Sequence, residues 1–514
     1  MTQDATTHRK PLRCKENPRP TPSLCQEIWT EAEVVARLLS PDYDAWSTAA
    51  AKVGHCARPI RLRGSTTTIV KSTGEVLSSY ATTDEPLGIL HLRCGNRRAS
   101  ECPSCSRVYA ADTFHLIRSG VVGGKGVPEH VRDNPLVFAT LTAPSFGPVH
   151  GLRDTTGRDA GLCRLFAGMD RSGCEHGRTL VCRTRHAEDD PQLGQPLCWE
   201  CYDYGSQVVW QWWAPELWRR FTIDFKRALA RRLGVTESRL NTVATVQYAK
   251  VAEYQGRGLI HFHALIRLDG PKSEDGFAAA PEEITAATLA HVVAAAVGSV
   301  RMTAPPVFVG DDERVLRFGS QVDTRAVKTG DRTDDPGQVL TAEQVAGYLA
   351  KYATKSATDT CPTEGNGHLG RLRRVLVEFA ALVEDEAGLL DHEQLRALPY
   401  GLLRKWTHML GFRGHFSTKS RRYSVTLGQL RRARRRFQTK VAEAARTGVR
   451  LDVRDLEDLV DEDDDDTTLV IGNWSFAGAG WDTNGDAELA KAAAARAREY
   501  AQHRAQQRYP SSQS

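Results

Sequence analysis

The sequence predicts an α+β fold: an antiparallel sheet with flanking helices, carrying cysteine-rich insertions of zinc-ribbon type. Two strand-length runs, NTVATVQYAKVAEY and LIHFHALIRL, are rich in β-branched and aromatic residues and flank QGRG, a hairpin signature. The wider order of strand, helix, hairpin, strand, helix suits a helix-covered sheet. The chain also has 12 cysteines, and they are clustered. Clustering points to metal, because a compartment that keeps thiols reduced does not support a disulfide framework.

At 514 residues the chain is long enough for one large core and two or three units. Hydrophobic content of 41% and charged content of 25% exclude the fibrous and disordered classes. The opening MTQDATTHRKPLRCKENPRP has no apolar core of a signal peptide, and no window approaches the roughly 18 apolar residues of a membrane span. The expectation is a cytoplasmic protein with no membrane partner.

Residues 1–88 are polar and variable in pattern, with a helix expected at Glu31 to Leu39. Residues 89–133 carry Cys94, Cys102 and Cys105 before an amphipathic helix. The main sheet domain is expected over 134–360. It starts with LVFATLTAP from Leu136, a buried strand ended by a proline turn, followed by a cysteine-bearing insertion at about 155–205. APELWRRFTIDFKRALARRL reads as a helix with Pro215 near its start. After the hairpin come an Ala-rich helix, Ile284 to Val297, and a strand VLRFGSQVDTRAV from Val315. A Thr341-Ala342-Glu343-Gln344 capping box then opens the helix AEQVAGYLAKYATK. A helical basic region is expected over 361–450, then an acidic linker, Asp461 to Asp466, and a tail within 451–514.

Residues two apart on a strand share a face, so His261 and His263 present two imidazoles side by side. A hard cation such as Mg2+ or Mn2+ also wants a carboxylate, and Glu253 is the candidate. With a three-residue loop, Gly256 to Gly258, Glu253 falls opposite His261; with a four-residue loop it faces away. Tyr348 and Tyr352 lie one helical turn apart, with Lys351 and Lys355 as a second such pair. Phenols beside a bound cation and a lysine have what attack on phosphorus requires. Each motif alone also fits plain packing, of histidines in a sheet and tyrosines on an amphipathic helix.

Together, a hairpin strand carrying HFH and a helix bearing GYLAKYATK resemble the HUH endonuclease superfamily, in particular its two-tyrosine rolling-circle replication initiators. The stretch from Cys94 to about Ser424 is similar to replication initiators of actinomycete plasmids and integrative elements, including LCWECYDYGSQVVWQW and GFRGHFSTKSRRYS. Ala139-Thr140-Leu141-Thr142 falls where the family's first strand motif would. The resemblance implies that His261, His263 and Glu253 hold Mg2+ or Mn2+. It implies that Tyr348 or Tyr352 nicks single-stranded or extruded origin DNA through a 5'-phosphotyrosine link, with Lys351 and Lys355 alongside. It further implies a free 3'-OH that primes replication, with host polymerase and helicase as partners. A transposase or relaxase would use the same chemistry on other DNA. A zinc-dependent DNA-binding regulator would use none of it. The long cysteine-bearing insertion departs from the minimal nickase fold.

Cys198-Trp199-Glu200-Cys201 is a CxxC knuckle, and the most economical structural zinc set is Cys174, Cys182, Cys198 and Cys201, with His176 or His186 able to replace one member. Cys94, Cys102 and Cys105 form a second set needing a fourth ligand such as Cys56, His91 or His115. From Arg404 to Arg454 the chain is basic with interleaved aromatics, which suits a nucleic-acid backbone with stackable bases. Arg413, Lys419, Arg421, Arg422, Arg431 and Arg432 are the candidate DNA contacts.

Overall fold

The computed structural model describes residues 22–151, 163, 173–182, 184–187, 190–273, 276–327, 341–354, 367–388, 390–448 and 468–508. Lys355 and the acidic run Asp461 to Asp466 lie outside them. The chain opens with helices α1 (Pro22–Leu38) and α2 (Tyr43–Lys52), then strands β1 (Ile60–Val70), β2 (Val76–Ala81) and β3 (Leu90–Leu92). Helix α3 (Pro103–Val122) precedes β4 (Leu136–Leu141). After the cysteine-rich segment come α4 (Tyr204–Arg232), β5 (Thr245–Tyr254), β6 (Ile260–Asp269) and α5 (Ala286–Ser299). Strands β7 (Met302–Ala304), β8 (Arg314–Leu316) and β9 (Val322–Ala326) lead to α6 (Ala342–Ala353). Helices Gly367–Ala387 and Leu427–Thr447 lie on either side of β10 (Ser417–Lys419), and β11 (Thr468–Ala479) and helix Asn484–Arg508 come last.

Two compact units result, one of residues 1–96, 101–105 and 465–514, the other of 97–100 and 106–464. In the smaller, β1 pairs along its length with β11, from Ile60 opposite Ala479 to Val70 opposite Thr468, and β2 and β3 also pair with β1. Segments more than 390 residues apart in the sequence therefore share one sheet. Its core gathers Trp46, Cys56, Cys102, Cys105 and Trp481.

The larger unit is built on a five-stranded sheet in the order β10-β5-β6-β4-β9, antiparallel at every pairing. Both faces are covered. One packs Ala252, Phe262, Ala264 and Val137 against Trp210, Leu217, Trp218 and Phe221 of α4 and Leu289 and Val293 of α5. The other packs Val251, Leu265 and Phe138 against Leu349 and Ala353 of α6, Ile117 and Val121 of α3, and Leu430. Double coverage explains why β6 is buried at every position except His261, instead of alternating as a one-sided strand does.

Two expectations need correction. The run from Val315 is two strands in different sheets, β8 paired with β7 and β9 with β4. The break is at Gly319, where a Cβ would stand 2.6 Å from the carbonyl oxygen of Ala143, so the backbone presses against a neighbouring loop. Pro215 is inside α4, not near its start, because the helix already begins at Tyr204, capped by Asp203, whose side chain accepts from the Ser206 amide. Buried Val209, Trp210 and Trp212 before Pro215 and Leu217 and Trp218 after it hold the helix through the proline, outweighing the lost hydrogen bond. Among the described residues no helix is long and apolar enough to cross a membrane.

Candidate active site

The β5–β6 hairpin sets the site. Gln255 donates its amide to the carbonyl of Leu259 at 2.8 Å, so the loop is the three residues Gly256, Arg257 and Gly258, with Gly258 left-handed at φ +75°. The register then places Glu253 opposite His261 and Val251 opposite His263. Had the loop held four residues, Glu253 would face the α4 side of the sheet.

His263 is the hub. Its Nε2 lies 2.7 Å from Oε2 of Glu253, and its Nδ1 3.1 Å from Oγ1 of Thr140 on β4, directly across the strand pair. The ring stacks flat on Phe138 with centroids 5.9 Å apart. Thr140 therefore fixes the imidazole orientation, as outer-shell partners of a ligating histidine do. Strand β4 is legible in the sequence but this role of Thr140 is not; its signal is a threonine inside an otherwise apolar buried strand. His261, with its ring centroid 6.2 Å from that of His263, keeps a buried Nε2 that has no hydrogen-bond partner. Burial, the nearby Arg257 guanidinium and His263 push its pKa down to about 3, so it is a neutral imidazole with a free lone pair.

Helix α6 stands over this face, and its Thr341–Gln344 capping box is formed. Buried Val345, Ala346 and Leu349 anchor it and turn Tyr348 and Tyr352 toward His263. The hydroxyl of Tyr348 is 3.5 Å from Nε2 of His263, and the two tyrosine rings are 4.5 Å apart between centroids. Tyr348 is 38% exposed, enough for a substrate to reach it. Burial, then the charge of Glu253, raises the pKa of both phenols. Lys351 is exposed, its ammonium 5.7 Å from the centre of the Tyr352 ring.

Two imidazoles and a carboxylate are a fitting donor set for a divalent cation, and the orphaned Nε2 of His261 is the atom such an ion would satisfy. The three donors are not drawn together as closely as the cysteine clusters. Among the described residues, only three groups keep their ligand atoms within 4.8 Å of one another, and they are Cys56, Cys94, Cys102 and Cys105; His150, Cys163, Cys182 and His186; and Cys174, His176, Cys198 and Cys201.

The first group supplies Cys56 as the fourth ligand to Cys94, Cys102 and Cys105, with Cys56 Sγ 3.7 and 3.6 Å from the sulfurs of Cys102 and Cys105. The third group differs from the economical set. His176 takes the place given to Cys182, its Nδ1 3.3 Å from Sγ of Cys201, while Cys182 turns to His186 at 3.5 Å. The chain path, not linear spacing, decides which of these cysteines and histidines converge.

The basic candidates do not share one environment. Lys419 directs its ammonium at backbone carbonyls, that of Ser424 at 2.7 Å, and burial lowers its pKa to about 8. Arg413 lies over the rings of Trp212 and Trp213 at 4.6 and 4.9 Å, and Arg422 donates to the carbonyl of Ser273. Arg432 is half-buried, whereas Arg421 and Arg431 are exposed.

Residues 42–495 match the sequence profile of a family described as RepSA, the replication initiator protein of pSAM2. A replication initiator protein of Streptomyces ambofaciens is 42% identical over 464 residues, which is 88% of this chain and 90% of that protein. No solved structure matches the chain. The chain belongs to the pSAM2 replication initiator protein family.

Proposed function

We propose that this replication initiator is a metal-dependent, HUH-type nickase that starts rolling-circle replication of a plasmid or integrative element. It would cut one strand of origin DNA, single-stranded or extruded, through Tyr348 or Tyr352. The observation that carries this reading is the placement of both phenols over His263 and Glu253, on a sheet face that also presents His261.

His261, His263 and Glu253 would hold Mg2+ or Mn2+, which when bound supplies positive charge against the scissile phosphate. Glu253 raises the phenol pKa through its uncompensated charge, so positive charge held beside that carboxylate would favour phenolate. Nε2 of His263 donates to Glu253, so the Glu253 carboxylate is the acceptor beside the hydroxyls, and the phenol proton would leave through it to solvent. The phenolic oxygen forms a bond to phosphorus as the bond to the 3' oxygen breaks. That oxygen leaves as a 3'-OH after taking a proton from solvent, and the 5' phosphate stays on tyrosine. Lys351 contributes positive charge near the transferring group, and Lys355 is proposed for the same role from its place in the sequence four residues on. The second tyrosine can then cut again and release a circle. Arg413, Arg421, Arg422, Arg431 and Arg432 form the region proposed to follow the DNA backbone, with Lys419 bracing it through backbone carbonyls, and host polymerase and helicase would act on the product. The thiol and imidazole clusters would bind structural Zn2+.

The test is to incubate the full chain with Mn2+ and end-labelled origin single strand and to run a denaturing gel. A covalent adduct that vanishes in Tyr348→Phe/Tyr352→Phe supports the reading; no adduct in wild type, or an undiminished one in the double variant, overturns it.

A further inference from the structure

We propose that the segment between β4 and α4 is a cross-braced pair of zinc sites that clasps the tip of the catalytic hairpin. One ion would be held by His150, Cys163, Cys182 and His186, a set that linear spacing did not suggest. The other would be held by Cys174, His176, Cys198 and Cys201.

The first site is built for an ion. His150 Nδ1 is 3.1 Å from His186 Nε2, which is 3.5 Å from Cys182 Sγ, and Cys163 Sγ is 3.9 Å from His150 Nδ1. Zinc bonds of about 2.0 Å to nitrogen and 2.3 Å to sulfur give tetrahedron edges of roughly 3.3–3.8 Å, close to these spacings. His186 is already oriented. Its Nδ1 donates to Asp190 Oδ2 at 2.7 Å, which leaves the Nε2 lone pair aimed at the other three ligands. No single protein hydrogen bond satisfies two facing imidazole nitrogens and two sulfurs at once; a tetrahedral cation does. Two sulfurs and two nitrogens select zinc over the hard cations. On binding, both thiols of the set release their protons.

The order of ligands makes the two sites interdependent. Along the chain, His150 and Cys163 serve the first ion, Cys174 and His176 the second, Cys182 and His186 the first, Cys198 and Cys201 the second. Each ion thus closes a loop that contains ligands of the other. Among the described residues this segment has no helix or strand between Leu141 and Tyr204, only an isolated bridge between Val149 and Pro196. Without a core of its own it needs such staples.

The clasp is a backbone contact. Gly194, at φ +84°, accepts no side chain: a Cβ would stand 2.8 Å from the Arg257 amide nitrogen at the hairpin tip. Gly194 is in turn tied to the first site, donating its amide to the His150 carbonyl at 2.8 Å, while the His150 amide donates to Gln195 at 2.9 Å. Gln207 and His368 hold the Arg257 carbonyl at 3.2 and 3.1 Å. The module, through Gly194, and these two side chains outside it both support the turn whose length sets Glu253 opposite His261, a positioning role that bears on the nickase reading although the metal assignment does not rest on it.

Zinc-edge X-ray absorption on the purified full chain tests the sites without mutation. With Cys56, Cys94, Cys102 and Cys105 also loaded, the three groups supply nine sulfur and three nitrogen ligands over three ions. Two ions with a sulfur to nitrogen ratio of seven to one would remove the His150 site. In Cys163→Ser/Cys182→Ser the expected result is loss of one zinc and faster release of a second to chelator; zinc content equal to wild type overturns the assignment. Amide exchange at Arg257 and Gly258 is expected to rise at least tenfold when a chelator strips the zinc. Unchanged exchange there overturns the clasp. None of these readouts uses DNA cleavage, so their failure is separate from failure of the nickase.

Discussion

The hydroxyl of Tyr348 lies 3.5 Å from Nε2 of His263, the same atom that faces Glu253 at 2.7 Å. Tyr352 is set farther back, its ring 6.0 Å from that of His263 against 5.2 Å for Tyr348. Tyr348 is therefore expected to make the first cut. Tyr348→Phe keeps the edge-on ring contact with Phe138 and should fold normally. Initial adduct formation should fall on the order of 100-fold or more, in line with losing a positioned nucleophile. Tyr352→Phe should spare the first adduct and impair the second transfer. A time course of adduct and of strand joining in each single variant checks the order, and a reversed pattern assigns the first cut to Tyr352.

The hairpin loop offers a sharp contrast between two glycines. Gly258 is left-handed, and its Cβ would lie 2.8 Å from Leu369 Cδ2 and 3.1 Å from Leu372 Cδ2, whereas Gly256 meets only the Leu193 carbonyl at 3.5 Å. Gly258→Ala should cost about 1–3 kcal/mol through backbone strain and lower the Mn2+-dependent adduct yield. Gly256→Ala should change neither by much. Chemical denaturation and the adduct gel, run side by side, would expose equal effects and so sink the register argument.

His261 holds a buried Nε2 without a partner, so removing its ring breaks no hydrogen bond at that atom. His261→Ala is expected to raise the half-saturating Mn2+ concentration more than ~10-fold, at least the effect of losing an outer-shell partner. The unfolding free energy should drop only by what the cavity costs, about 2 kcal/mol. An unaltered Mn2+ titration of adduct yield would show that His261 is not a ligand.

Lys250 is buried on the α4 face of the sheet, its ammonium 4.5 Å from the Phe262 ring centre and 5.3 Å from that of Trp218. Burial lowers its pKa to about 7. A base with a depressed folded pKa binds fewer protons folded than unfolded, so it destabilises the fold increasingly as pH falls from its unfolded value near 10.5 toward 7. Lys250→Met should thus stabilise the chain near pH 7 by up to a few kcal/mol, at about 1.4 kcal/mol per pKa unit less what the ring faces offset. The gain should shrink toward pH 10. Denaturation of both proteins across that range checks it; a gain independent of pH would mean that packing, not titration, is responsible.

Exposed Arg421 and Arg431 are suited to phosphate, whereas Lys419 is tied to carbonyls. Arg421→Ala and Arg431→Ala should each flatten the dependence of log affinity on log salt by about 0.7 for single-stranded DNA. Lys419→Ala should leave the slope alone and lower stability instead. Binding isotherms at several salt concentrations distinguish the two, and a flattened slope for Lys419→Ala would reverse the assignment.

Local rules anticipate much of the placement of the candidate residues because they sit on elements whose geometry is set within a few residues. The period of two places His261 and His263 on one face. Loop parity decides whether Glu253 joins them, and Gly258 selects the three-residue loop because its left-handed φ is costly for any other residue. Thr341 and Gln344 fix the start of α6, and one turn of spacing then aligns Tyr348 with Tyr352. Proline was less legible. Pro215 looks like a helix start, and only tertiary burial of Trp210, Trp212 and Trp218 keeps α4 running through it.

By itself, then, the sequence determined the hairpin, the faces of its side chains and the family. Tertiary structure alone decided that Thr140 orients His263 from a strand more than a hundred residues away, that Cys182 joins His150 and His186 rather than the CxxC knuckle, and that β1 pairs with β11. The physical reason is common to all three. Hydrogen bonds across strands and ligands around an ion depend on where distant segments are brought by packing, and the periodicity of a single segment carries no record of its neighbours.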